Sequence, residues 1–207
     1  MNFKTITLFF SLKVLLLSFI LFFLYKPLKN YLSKHLKNYL CIPSTIPDST
    51  EIDALYVLGG SLKSTSRHLS TASLLQSKYD LNRILIYNNN DSSVFYKKKM
   101  IIKRVGIPDS VVSFFNVKDG FFGTMTEARV LSNYFMHQNY NSIILVSSHC
   151  HSRRVMMSFK HFLNNNSVSI SFVGSNDQFY LRELVLEFIK VQIYKLIFIF
   201  NDIKKST

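Results

Sequence analysis

The most chemically reactive stretch of the sequence, residues 147–154, reads SSHCHSRR and follows the apolar run SIILV. A helix that begins near Ser152 would direct its first backbone N–H groups into a cleft, and together with Arg154 they would bind an anion such as phosphate. A polar loop with a solvated pair of arginines is the alternative. His149 and His151 also suggest a metal site, but the sequence offers no identifiable third ligand, so we predict none.

A second candidate segment, LGGSLKSTSRH, offers Gly59, Gly60, several hydroxyls and Arg67 after another apolar run. Glycines allow the backbone to approach a ligand closely, and N–H groups at the start of a helix favour an anion. A tight turn with surface serines explains the same residues. The segment fits neither the dinucleotide-binding glycine pattern nor a phosphate-binding loop.

The third candidate segment, GTMTEA, contains Thr124 and Glu127. Thr124 or Thr126 is predicted to cap a helix, with Glu127 in the first turn, where an acid complements the helix dipole. A functional Glu127 would serve as a general base or orient a ligand hydroxyl. The lysine run 97–99 lies on another predicted helix; we interpret it as a solvated face, and no nucleic-acid motif accompanies it.

Each candidate segment follows a short apolar run, and such runs alternate with amphipathic stretches from residue 53 onward. This pattern predicts strands over 54–58, 83–87, 111–115, 142–146 and 168–173, and helices over 67–79, 93–104, 124–137, 152–163 and 180–200. Strand–helix alternation at this spacing indicates an α/β fold with a mostly parallel sheet of about five strands and helices on both faces. Ligands bind beyond the carboxyl ends of such strands, where the candidate segments would meet.

The N-terminal part of the chain has a different composition. The formal net charge of the protein is +13, and residues 1–40 contain six lysines and no acid. The apolar run from Ile6 to Tyr25 just reaches the length of a bilayer span if Lys13 extends to the headgroups. A cleaved signal peptide is the alternative, but no small-residue cleavage site follows, so an uncleaved anchor is favoured. Lysines on both flanks leave the orientation open.

The predicted organisation is a single transmembrane anchor over residues 1–26, a basic juxtamembrane linker over 27–50 and an α/β domain over 51–207. Hydrophobic residues make up 48% and charged residues 18% of the chain, which excludes disorder over most of it. Cys41 and Cys150 are too few for a disulfide framework, and no CxxC pair suggests a zinc module. The last predicted helix is apolar nearly all round; core packing is favoured, and a partner helix or the membrane surface is the alternative.

Several motifs come in the order and spacing of the YdcF-like family, over roughly residues 53–173. They are Asp53 with LYVLGG, Arg67, Thr71-Ala72, Gly106-Ile107-Pro108, GTMTEA and LVSSHCHSRR. The most specific element, LVSSxxHxxR over residues 145–154, resembles the family's LVTSxxHxxR signature. A single N-terminal anchor is also typical of the SanA and ElyC type of member.

The resemblance implies a Rossmann-like three-layer domain on the periplasmic side of the bacterial inner membrane. It implies a role in cell-wall or envelope biogenesis or barrier maintenance, with an anionic, phosphate-bearing or lipid-linked ligand and no nucleic acid as partner. Some members of the family bind a nucleotide-like ligand such as S-adenosylmethionine. For this chain we predict no particular cofactor. The positions that match the family's pocket are Gly59, Gly60, Arg67, Thr124, Glu127, Ser148, His151 and Arg154.

On this basis Arg67 and Arg154 are predicted to clamp phosphate, Gly59-Gly60 to supply N–H donors, and His151 and Glu127 to shuttle protons. The chain departs from the family pattern at Asn88-Asn89-Asn90, at Val94 and at Lys118, with Asp119 as a possible substitute for a lost acid. Lost acids weaken an acid–base mechanism, so whether the protein is an enzyme stays open. The alternatives are a non-catalytic envelope scaffold and a nucleotide-binding or S-adenosylmethionine-binding protein on the cytosolic side.

Overall fold

A computed structural model of the chain describes residues 25–46, 52–89, 91–117, 122–163 and 168–206. Helix α1 covers residues 25–40. Strands and helices then alternate as β1 (Ala54–Val57), α2 (Leu62–Tyr79), β2 (Ile84–Asn88), α3 (Ser92–Arg104), β3 (Val112–Asn116), α4 (Gly123–His137), β4 (Ser142–Ser148), α5 (Ser152–Leu163), β5 (Ser169–Ser175) and α6 (Leu181–Ser206). Short 3-10 turns over Asp109–Val111 and His149–His151 precede β3 and α5.

The five strands form one sheet in the order β3-β2-β1-β4-β5, and every pairing is parallel. Val57 of β1 lies opposite Ile86 of β2 and Val146 of β4. All residues of β1 and β4 are buried, as expected for central strands that are covered on both faces. The predicted α/β fold with about five strands is confirmed, and the sheet is wholly rather than mostly parallel.

Two apolar cores lie on opposite faces of the sheet. Tyr56 of β1 packs into one core, with Phe135 of α4 and Phe159 of α5. Its neighbours Leu55 and Val57 point the other way and pack into the second core, which α2 and α3 cover. Two buried faces explain why these strands are continuous apolar runs.

Local capping moves several helix starts away from their predicted positions. Helix α2 begins earlier than predicted, because Ser61 Oγ accepts a hydrogen bond from the Ser64 N–H. Asp91 rather than Ser93 caps α3. Helix α4 begins at Gly123 without a side-chain cap, so neither threonine caps it and Glu127 lies beyond its first turn.

The lysine run on α3 is only partly solvated. Lys97 and Lys99 are exposed, but Lys98 is buried and its Nζ donates to the Tyr87 carbonyl oxygen at 2.6 Å. The prediction of a solvated face is therefore wrong for Lys98. The physical reason is that the ammonium group finds a carbonyl partner at the end of β2 and lies over the Tyr87 ring, 4.8 Å from its centroid.

Residues 1–24 of the predicted anchor lie outside the described residues. Residues 27–40 of the predicted linker form most of α1, and the final residue of that helix, Leu40, is fully buried. A disulfide joins the following Cys41 to Cys150, a pairing that the sequence analysis did not predict. None of the helices in the described part of the chain combines the length and the apolar character needed to cross a membrane.

Candidate functional site

A pocket of about 360 Å³ lies at the carboxyl end of the sheet, between the start of α2, the end of β4, the segment after β5 and α6. Three of the eight predicted site residues line it: Arg67, Ser148 and His151. The other five lie outside its lining: Gly59, Gly60, Thr124, Glu127 and Arg154. The pocket occupies the position where ligands bind in parallel α/β sheets.

Ser148 and His68 form a buried pair beside this pocket. Ser148 Oγ lies 3.1 Å from His68 Nε2, and both residues are at most 2% exposed. His68 Nδ1 lies 3.4 Å from the Leu58 carbonyl oxygen. The Leu58 carbonyl oxygen can accept a hydrogen bond from Nδ1, and the tautomer that carries its proton there leaves Nε2 able to accept the Ser148 hydroxyl proton.

Asp177, two residues after β5, completes this network. Its Oδ1 accepts a hydrogen bond from Arg67 Nη1 at 2.6 Å, and its Oδ2 accepts one from Ser175 Oγ at 2.8 Å. Oδ2 also lies 3.7 Å from His68 Nε2. Burial alone would raise the pKa of Asp177, but its hydrogen bonds outweigh burial and hold that pKa far below its usual range. Asp177 is therefore a carboxylate at neutral pH.

Arg154, which was predicted to clamp phosphate, is held inside the protein. Its Nε and Nη2 donate to the two carboxylate oxygens of Glu187, and its Nη1 donates to Thr124 Oγ1. The guanidinium also lies over the Tyr194 ring, 5.6 Å from the centroid. The two-pronged carboxylate pair occupies the donors that a phosphate would need, so in this structure Arg154 joins α5 to α6.

Glu127 lies behind the pocket and contacts β1. Its Oε2 accepts hydrogen bonds from the Tyr56 hydroxyl at 2.8 Å and from the Gly59 N–H at 3.1 Å. Burial raises the pKa of Glu127, and these two hydrogen bonds oppose the rise. Burial, followed by the Glu127 charge, raises the pKa of Tyr56 well above its usual value. Glu127 thus holds the turn after β1, and its role in proton transfer stays a prediction.

The glycine turn after β1 is required by packing. A Cβ at Gly59 would lie 2.8 Å from the Tyr87 ring, too close for any other residue without a shift of that ring. The Gly59 N–H donates to Glu127, and the Gly60 carbonyl accepts from Thr65 Oγ1 at 3.5 Å. The Gly59 donor therefore serves the protein itself in this structure.

His151 forms part of the pocket wall beside Glu187, with 3.5 Å between Nε2 and Oε2. The edge of its ring packs against Phe179. Although 32% of the side chain is exposed, burial of the ring lowers the pKa of His151 to about 4, and the Glu187 carboxylate opposes the shift. The imidazole is therefore neutral at pH 7 and able to accept a proton.

Both signs of charge line the pocket. The cationic side chains are Lys63, Arg67 and Lys190, and the acidic ones are Asp177, Glu183 and Glu187. Asp177 and Glu187 each have an arginine partner, and Glu183 accepts the Tyr180 N–H at 2.8 Å. The acids are thus engaged within the protein, whereas Lys63 and Lys190 are exposed at the pocket. An incoming anion would meet these lysines and Arg67.

Three residues of this site were not assigned to it by sequence reasoning: His68, Asp177 and Glu187. Asp177 follows β5 at the same edge of the sheet as the other candidate segments, and that position could have indicated it. Glu187 shares a helical face with the buried Leu184 and Val191, and an acid on an apolar face predicts a buried partner. No signal in the sequence points His68 towards Ser148, which is 80 residues away.

Among the described residues, those that depart from the family pattern do not line the pocket. Asn88 is buried at the end of β2, where its Nδ2 donates to Asn116 Oδ1 at 2.7 Å, and Val94 lies in the first turn of α3. Asn90, Lys118 and Asp119 lie outside the described residues. The described residues include no group of three or more His, Cys, Asp or Glu side chains that could hold a metal ion.

Comparisons with known proteins add no relative to this description. No protein-family model matches the chain, and no curated protein is similar to it. The resemblance to the YdcF-like family therefore rests on the motifs alone.

Proposed function

We propose that this protein is a membrane-anchored envelope protein that binds a phosphate-bearing, lipid-linked ligand in the pocket at the carboxyl end of the sheet. The observation that carries the proposal is the composition of the pocket lining, in which Arg67, Lys63 and Lys190 occur together with a serine hydroxyl and a neutral imidazole. Cations bind phosphate, and a neutral imidazole accepts a proton. The role in cell-envelope biogenesis comes from the family resemblance.

Arg67 is better placed than Arg154 to bind the ligand. Its side chain is 37% exposed, and Asp177 engages its Nη1, whereas the Arg154 side chain is 10% exposed and bonded to Glu187 through two nitrogens. The first turn of the 18-residue helix α2, which contains Lys63, also lines the pocket. Its N–H groups carry the positive end of the helix dipole and add to the attraction for an anion.

The lipid-linked nature of the ligand is supported by an apolar surface on α6, which we call the α6 apolar face. Its members recur at helical spacing and are 47–68% exposed: Leu186, Ile189, Leu196, Ile199, Phe200 and Ile203. They lie opposite the buried residues of the same helix, and Arg182 and Lys204 stand near its two ends. An apolar surface bordered by cations fits an anionic lipid surface. Leu186 also lines the pocket, so this face reaches the ligand site.

Helix α1 supports the same placement, because the apolar run that is predicted to be the anchor ends where α1 begins. Near the other end of α1, the Tyr39 hydroxyl accepts hydrogen bonds from Gln192 Nε2 at 3.1 Å and from Lys195 Nζ at 2.8 Å. The Tyr39 ring packs against Phe188, 5.3 Å between centroids. These contacts hold α6 close to the helix that continues the predicted anchor.

The disulfide supports the outer side of the inner membrane as the location of the domain. Disulfides persist in oxidising compartments such as the periplasm and are rare in the cytosol. The Cys41–Cys150 bond therefore favours the periplasmic placement that the family resemblance implies over the cytosolic alternative.

The test is thermal unfolding of the full-length protein in detergent with a polyprenyl phosphate, the same prenol without phosphate, or inorganic phosphate. We expect the polyprenyl phosphate to raise Tm, since ligand at 100 times Kd adds about 2.7 kcal/mol to the free energy of unfolding. Arg67→Ala should lose most of the shift. Arg129→Ala, on the exposed side of α4, is the matched control and should keep it.

The other results test the proposed site and the proposed lipid part of the ligand separately. No shift with either phosphate-bearing probe, or an equal shift in Arg67→Ala, would contradict the proposed site. A shift with inorganic phosphate that equals the shift with polyprenyl phosphate would contradict the lipid part of the proposal.

A further inference from the structure

Ser148 has the surroundings of a nucleophilic serine. It is the last residue of the inner strand β4, it lines the pocket, and its hydroxyl lies 3.1 Å from an imidazole nitrogen. We propose that Ser148 is the nucleophile of a phosphoryl-transfer reaction and that His68 is the base that takes its proton. The nature of the substrate, a phosphate ester, rests on the proposed function above; the Ser148–His68 pair does not depend on it.

The hydrogen bonds of His68 prepare it for this role. The Leu58 carbonyl oxygen lies 3.4 Å from Nδ1, where it accepts a hydrogen bond from the tautomer that carries the ring proton on that nitrogen. The other nitrogen, Nε2, then has a lone pair directed at Ser148 Oγ. A backbone carbonyl thus does for this imidazole what the aspartate does in a Ser–His–Asp triad: it selects the tautomer and the orientation of the ring.

Asp177 is placed to stabilise the charge that follows. When His68 takes the serine proton, the positive charge forms on a ring whose Nε2 lies 3.7 Å from Asp177 Oδ2. The carboxylate is kept ionised by the polar groups around it, which are His68, Arg67, Ser148 and Ser175, so its charge is present before the reaction starts. Arg67 therefore has two roles: it holds Asp177, and its exposed part faces the pocket where a phosphate oxygen would lie.

The reaction balances without a further reactant. Ser148 Oγ attacks phosphorus, the Oγ–P bond forms, and the bond from phosphorus to the leaving oxygen breaks. The Ser148 proton moves to His68 Nε2 and then to the leaving oxygen. A water molecule next attacks the phosphoserine and gives its proton to His68, the P–Oγ bond breaks, and Ser148 Oγ takes that proton back.

A fluorophosphonate carrying biotin tests the nucleophile without knowledge of the natural substrate. The probe forms an Oγ–P bond, releases fluoride and leaves its label on an activated serine. We expect the full-length protein in detergent to take up one label per chain, located on Ser148 by peptide mass spectrometry. Location by mass spectrometry needs no variant, so the result does not depend on whether a variant folds.

Variants then test whether labelling requires activation of the serine by His68 or only an accessible serine hydroxyl. Ser77→Ala removes an exposed serine of α2 that lies outside the pocket and donates only to the Ser73 carbonyl oxygen, and the label should be unchanged. Ser148→Ala should remove the label, and His68→Gln should slow labelling about 100-fold or more, the typical contribution of a general base. Absence of a label on Ser148, under conditions that label a serine hydrolase, would overturn the proposal. So would an unchanged labelling rate in a folded His68→Gln variant.

Protection by ligand distinguishes this proposal from the proposed function. Polyprenyl phosphate should slow labelling of Ser148 if both are correct. A Tm shift with polyprenyl phosphate but no label on Ser148 overturns the nucleophile alone. Rapid labelling that polyprenyl phosphate does not slow supports the nucleophile and overturns the phosphate ligand.

Discussion

Single residues near the pocket divide into those that face it and those that hold it together, and the two arginines show the difference. Arg67 is partly exposed on the pocket wall, while Arg154 is buried and bonded to Glu187 and Thr124. Burial raises the pKa of Glu187, but the neighbouring His151 and Arg154 side chains outweigh burial and lower it, and the two hydrogen bonds from Arg154 keep the carboxylate charged at neutral pH. Removal of either partner would leave a buried charge without compensation.

We predict that Arg154→Ala lowers the free energy of unfolding by about 3–5 kcal/mol, as is usual when one partner of a buried ion pair is removed. The double variant Arg154→Met, Glu187→Leu should recover most of this loss, because it removes both charges and refills the volume. Denaturant unfolding of the full-length protein measures both. If the double variant is as unstable as the single one, the ion pair is not the reason for the loss.

At the scale of elements, α1 is tied to the 3-10 turn that carries His151 and to the start of α5. The disulfide from Cys41 ends next to that residue, and Ser152 Oγ donates to the Leu40 carbonyl at 3.1 Å. Arg153 Nε also donates to the Tyr39 carbonyl oxygen. The end of α1 and the following Cys41 thus contact Cys150, Ser152 and Arg153, which lie on either side of His151. The helix that continues the predicted anchor therefore also positions one wall of the pocket.

Loss of the disulfide should weaken this connection. It closes a sequence separation of 109 residues, and removal of a native disulfide costs about 2–5 kcal/mol. We predict that the double variant Cys41→Ser, Cys150→Ser has a free energy of unfolding that is lower by this amount, measured by denaturant unfolding. A reductant should destabilise the wild type but not the variant. Thiol titration of the untreated, unfolded protein should find no free thiol; two free thiols per chain would contradict the bond.

At the scale of the whole molecule, one helix, α6, both lines the pocket and carries an exposed apolar face. Helix α6 contributes Glu187 and Lys190 to the pocket on one side and the α6 apolar face on the other, with Leu186 common to both. A domain that rests on a bilayer by this face would place the pocket rim at the level of the lipid headgroups. A phosphate that is attached to a membrane-embedded chain lies at the same level.

The absence of tryptophan from the sequence makes this placement measurable. In the full-length protein in liposomes with brominated lipids, we predict that the fluorescence of Phe200→Trp is quenched. Tyr96→Trp, on α3, is the control: Tyr96 is 66% exposed, close to the 68% of Phe200, and it should not be quenched. Equal fluorescence with brominated and ordinary lipids for Phe200→Trp would contradict the membrane contact, and a stable dimer in detergent would assign the face to a second copy.

Much of the fold follows from the sequence because strand periodicity and helix periodicity are local properties. The helix predicted over 152–163 has those bounds in the structure, and all five strands lie within two residues of their predicted ends. Element starts that depend on one side chain are less predictable: Ser61 extends α2, and Asp91 replaces Ser93 as the cap of α3. Neighbouring hydroxyl and carboxylate side chains can each cap a helix, and the stabilisation that they give differs by about 1 kcal/mol or less.

By itself the sequence determined that candidate site residues follow parallel strands, because apolar runs of strand length alternate with helices and the reactive residues come after them. Only the tertiary structure decided which of these residues meet. It brings His68 to Ser148 and Asp177 to Arg67, and it encloses Arg154 with Glu187. The partners are 33 to 110 positions apart, and such pairings depend on the order of the strands and the packing of α6, which no local pattern contains.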